Sequence, residues 1–86
     1  METNLMAPIT IQRFLKELEK LKKDTDEGTL QPEDYDGRLA RVIRELRGRG
    51  LDADRAVATA ALTEAVTRGV ISSPTEAHIR NRLGLV

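Results

Sequence analysis

The chain has one imidazole, His78, no cysteine, and two adjoining runs of opposite charge. His78 has no second histidine or thiol with which to hold a metal, and an acid–base catalyst needs an orienting partner within hydrogen-bond reach. It reads as a surface histidine. The carboxylates of DTDEGTLQPEDYD, residues 24–36, lack the glycine and the closing glutamate that a calcium loop requires at fixed positions. They read as a solvated acidic turn. No glycine-rich phosphate loop, nucleophile elbow or zinc-protease motif occurs. The expectation is a non-enzymatic protein with no cofactor, no metal and no small-molecule substrate.

The charge pattern carries more. Asp24, Asp26, Glu27, Glu33, Asp34 and Asp36 fall in a stretch with no basic residue, and Arg38, Arg41, Arg44, Arg47 and Arg49 follow against Glu45 alone. A guanidinium fork suits a carboxylate or a phosphate. Fourteen cations balance fourteen anions over the whole chain, so no global field draws it to nucleic acid or an anionic membrane. The acidic turn is expected to lie on the basic helix, within one chain or between subunits. Arg38, Arg41, Arg44, Glu33 and Asp34 are the candidate partner-binding residues. Arg13, Lys16, Lys20 and Lys23 read as a solvated helix face, with Arg13–Glu17 and Glu19–Lys23 as i,i+4 pairs of about 0.2–0.5 kcal/mol each.

These groups must be positioned by a small fold. Eighty-six residues with 40% apolar content make one domain, 1–86, with a thin core. Residues 1–9 are expected to be a flexible segment and 84–86 a short tail. Four segments have helical periodicity and none has strand alternation, so the chain reads as all-α. The first starts near Thr10 and gathers Ile11, Phe14, Leu15, Leu18 and Leu21 on one side. The second starts at Pro32 and gathers Tyr35, Leu39, Val42, Ile43 and Leu46, with RGRG at 47–50 to stop it. The third, capped by Asp52, is alanine-rich on several faces and is expected to be the central helix. The fourth, 73–83, has Ser73 as cap, Pro74 and Glu76. The expected architecture is a compact bundle of four short helices in two hairpins. Absent cysteine fits a reducing compartment, and METNLMAPIT lacks the pattern of a signal peptide, so a cytoplasmic location without membrane contact is expected.

The stretch LEKLKKDTDEGTLQPEDYDGRLARVI resembles the SHOCT family of short helical hairpins, a resemblance that implies a hairpin associated with oligomerisation. Ala65 and Gly69, followed by a capped short helix, resemble the middle of a helix-turn-helix regulator, although Thr75 stands where that family buries a residue. That resemblance implies duplex DNA contacts from Thr75, His78, Arg80, Asn81 and Arg82. The favoured expectation is a protein–protein interaction or assembly module, self-associating or docked on a larger complex, which buries a spare apolar edge of the first two helices. The alternatives are a DNA-binding regulator that uses the helix at 73–83, and a small inhibitor that covers a partner's surface.

Overall fold

The computed structural model describes residues 7–85 and places them in the order β1 (Ile9–Thr10), α1 (Ile11–Asp26), α2 (Pro32–Arg49), β2 (Leu51–Asp52), α3 (Arg55–Thr67) and α4 (Ser73–Leu83). The four expected helices form a small all-α bundle of two hairpins. α1 begins where Thr10, in extended conformation, accepts the Arg13 N–H on its Oγ1 at 3.1 Å. This satisfies one of the amides that a helix start leaves without a partner. Pro32 opens α2, with Glu33 and Asp34 in its first turn and Arg47 and Arg49 in its last, the order the helix dipole favours. Phe14, Leu18 and Leu21 of α1 and Leu39, Ile43 and Leu46 of α2 are buried.

Two caps differ from the sequence reading. Asp54, not Asp52, caps α3 by accepting the Val57 N–H at 2.8 Å, because Asp52 belongs to β2. Ser72, not Ser73, caps α4: its Oγ accepts the Thr75 N–H at 3.2 Å and donates to Thr75 Oγ1 at 2.9 Å. α3 packs on α1 and α4 and buries Ala58, Leu62 and Ala65, while Ala56, Val57 and Ala60 face solvent. Its alanines therefore serve helix propensity on the outer face and close packing on the inner one. α1 packs on α2 and α3, and α4 packs on α3 and α2, so the four helices close into a ring. Phe14, Leu18, Leu21, Leu46, Leu62 and Ile79 fill its centre.

The hairpin turns repeat at an interval of 41 positions. After α1 the amides of Thr29 and Leu30 both donate to the Asp24 carbonyl, at 2.9 and 3.1 Å; after α3 those of Val70 and Ile71 donate to the Ala65 carbonyl, at 2.8 and 3.4 Å. Leu30 and Ile71 are the buried plugs of their turns. In each case a proline sits in the first turn of the next helix.

The strand pair departs from the expected all-helical pattern, because two-residue strands are too short to show alternation. β1 and β2 are parallel, with Ile9 opposite Leu51 and Thr10 opposite Asp52. The Ile9 N–H also donates to the Gly50 carbonyl at 2.8 Å, and Arg49 Nε donates to the Ala7 carbonyl at 2.9 Å. The expected flexible segment 1–9 thus includes a paired and buried Ile9, while residues 1–6 lie outside the described residues. Of the expected tail, Leu85 donates its N–H to the Arg80 carbonyl at 2.8 Å and packs on the core, and Val86 lies outside the described residues. No helix among the described residues is long and apolar enough to cross a membrane.

Gly50 joins the halves at φ 87° and ψ 151°, a conformation open essentially to glycine alone. Gly50→Ala should lower stability by about 1–3 kcal/mol in urea denaturation. Tyr35 is held above its ordinary value of 10.0, first by burial and then by Asp36, with Lys22 opposing. The fold therefore prefers the neutral phenol, and the associated stability is intact below that value and is lost as pH rises through the elevated one. Tyr35→Phe should remove this part of the alkaline destabilisation, read as a smaller fall in urea midpoint between about pH 9 and 11 than in the wild type.

Candidate functional site

The arginines that follow one another at intervals of three do not share a face. Each step of three residues turns about 60° short of a full circle, so Arg38, Arg41, Arg44 and Arg47 spiral round α2. Arg38 ends on the α1 side, where it meets Asp24 at 3.5 Å. Asp24, in the last turn of α1, also has Lys20 at 3.9 Å, so the acidic stretch meets the basic helix through the Asp24–Arg38 pair, while Glu33, Asp34 and Asp36 belong to α2 itself. Arg49 is turned to Glu45 at 3.1 Å, and Arg13 reaches the same carboxylate from α1 at 3.4 Å rather than Glu17 on its own helix. Glu19 likewise meets Arg68, the residue just past α3, at 3.7 Å. The contacts of Arg38, Arg13 and Glu19 join elements, whereas Arg49–Glu45 and Lys20–Asp24 lie within one helix.

Arg41, Arg44 and Arg47 are exposed and have no ion pair among the described residues. Arg44 and Arg47 reach the side of α2 that faces α4. There Asp36, Ala40 and Gly48 of α2 line an open cleft of about 850 Å³ together with His78 and Arg82 of α4, over a floor of Leu39 and Ile43. Arg47 and Arg82 also border a neighbouring depression that includes Arg55 and Asn81. Three guanidinium groups and an imidazole thus line one concavity, with Asp36 as the one carboxylate among the described residues that line it.

The α2 wall has an internal order. With 3.6 residues per turn, Glu33, Asp36, Ala40, Arg44 and Arg47 fall within about 40° of one line along the helix. All five are exposed. Acid occupies one end of the line, base the other, and alanine the middle. The two ends are about 21 Å apart at the usual helical rise.

The candidate residues divide accordingly. Of the partner-binding set, Arg44 lies in the cleft, Glu33 continues its wall, Asp34 and Arg41 are exposed on the flank, and Arg38 belongs to the hairpin contact. Of the DNA-binding set, His78 and Arg82 line the cleft and Asn81 the depression beside it. Thr75 is engaged by the Ser72 cap, and Arg80 is half-buried with Glu76 at 4.0 Å. Arg47, Asp36 and Ala40 were absent from both sets. Counting the outer face of α2 in the way its apolar face was counted would have found them.

The expected apolar edge of the first two helices holds half-buried side chains, Ile11, Leu15, Tyr35 and Val42, and no large one that is fully exposed among the described residues. Among the described residues Val57, on α3, is the one large hydrophobic side chain that is exposed, at 47%. Ile11, Leu15, Tyr35 and Val42 pack instead against the core. Nor does any group of three acidic or imidazole side chains among the described residues converge as metal ligands would. The chain matches no protein-family model, and no curated protein or solved structure is significantly similar to it. No family model therefore supports the likeness of residues 18–43 to SHOCT hairpins.

The division between structural and free arginines is measurable. Arg38→Ala should cost up to about 1 kcal/mol, less at high salt, whereas Arg44→Ala and Arg47→Ala should each change urea stability by no more than about 0.5 kcal/mol.

Proposed function

We propose that the chain is a non-enzymatic docking module that binds a polypeptide on the face formed by α2 and α4. One observation supports this above the others: the exposed line on α2 carries both signs, Glu33 and Asp36 at one end and Arg44 and Arg47 at the other. A polypeptide can present both signs in the complementary order. A nucleic-acid backbone presents one sign, and along this line it would meet repulsion from Glu33 and Asp36. The small residues Gly37, Ala40 and Gly48 leave room for a helix to approach closely.

With the large apolar side chains inside, such docking draws its selectivity from charge order more than from greasy area. Exposed ion pairs contribute only about 0.2–1 kcal/mol each, so the association would be weak and salt-sensitive. The DNA-binding alternative retains His78, Asn81 and Arg82 as exposed candidates. The inhibitor alternative is a special case of polypeptide docking.

A nuclear magnetic resonance titration of the full chain separates the readings. A short helical peptide with glutamates at one end and arginines at the other should shift the amides of Ala40, Arg44, Arg47, His78 and Arg82, while random duplex DNA at low salt leaves them in place. Shifts with duplex and none with the peptide would transfer the face to the DNA reading.

A further inference from the structure

The order of charges on α2 is its own complement. Laid antiparallel on a copy of itself and centred at Ala40, the line sets Glu33 opposite Arg47, Asp36 opposite Arg44, and Ala40 opposite Ala40. Each opposition then occurs twice, since in a two-fold arrangement the contact from i to j is repeated from j to i. Oppositely charged groups meet at both ends, and the smallest side chains meet at the axis, where two antiparallel helices come closest.

The cleft agrees with this placement. Its second wall supplies Arg82, which with Arg47 borders both the cleft and the neighbouring depression. The end of the line that receives the opposing Glu33 is therefore flanked by two guanidinium groups. Both are exposed and neither has an ion pair among the described residues.

We infer that the occupant of the α2–α4 face is a second copy of this chain, packed antiparallel through α2 with its two-fold axis at Ala40. This rests on the reading of that face as a polypeptide-docking surface and names the polypeptide. The contact is closed: both copies use the same patch, so assembly stops at two. It is also conditional on salt, because every one of its charged groups is exposed to solvent. Arg41 and Asp34, a third to a quarter of a turn to the side, sit at the rim.

The test is sedimentation velocity on four full-length chains, with circular dichroism to verify folding. Wild type should show a monomer–dimer equilibrium that weakens as salt rises. Arg44→Glu/Arg47→Glu makes the line wholly acidic, and Glu33→Arg/Asp36→Arg makes it wholly basic. Each should weaken self-association by on the order of tenfold or more in Kd and sediment as monomer, whereas their equimolar mixture should re-form a dimer. The chain with all four substitutions restores the two-sign order in reverse and should dimerise like wild type. Rescue by mixing and by the fourfold variant cannot come from a loss of folding. A wild type that stays monomeric at every concentration and low salt, or single-sided variants that still dimerise, would overturn the inference. If the wild type is monomeric while the two-sign peptide still titrates the α2–α4 face, the docking reading survives and only the identity of the occupant falls. If neither associates, both fall.

Discussion

The scarcity of large apolar side chains governs this structure. Apart from Val57, every one among the described residues is buried in a single cluster or packed against it. A domain of this size has little such surface to bury, and its net stability is correspondingly small. Four helices must share one set of contacts, so each helix gives up its apolar face to the centre. What remains outside is small, polar or charged, and any selectivity the exterior possesses has to be written in those terms.

That constraint separates the legible from the illegible in the amino-acid sequence. The inward faces of α1 and α2 could be read almost residue by residue, since Phe14, Leu18, Leu21, Leu39, Ile43 and Leu46 recur at helical spacing and all are buried. The helix starts were legible to within a residue or two, and missed where two capping side chains compete: Asp52 against Asp54, and Ser72 against Ser73. Asp52 is withdrawn from capping by a pairing with Thr10 far back in the chain, which no local pattern encodes. In α3 the alanines gave no face, because a helix former that is also small satisfies inside and outside equally.

The charges were legible in kind but not in direction. The acidic stretch and the arginine run stood out by composition, yet spacing by three distributes the arginines round the helix instead of along it. Arg38 is drawn to Asp24, which ties α2 to α1, while Arg49 pairs with Glu45 inside α2 and reaches the Ala7 carbonyl through its Nε. Arg44 and Arg47 are left facing α4, whose contribution of His78 and Arg82 comes from the second hairpin. Which residues share a cleft is decided by how the hairpins pack, and the linear order of the chain does not state that. The face of α2 itself was there to be counted.

The parallel pairing of Ile9 with Leu51 spans the whole first hairpin. Joining such distant positions in a loose chain carries a loop-closure penalty, but a hairpin assembled from nearby contacts has already brought its ends together. The two-strand clasp is therefore expected to close after the hairpin has formed. Interactions made after the rate-limiting step do little to hasten folding and act chiefly to delay its reversal. A clasp closed in that order is expected to act as a latch on the lifetime of the native state, through a few backbone hydrogen bonds at the seam between its halves.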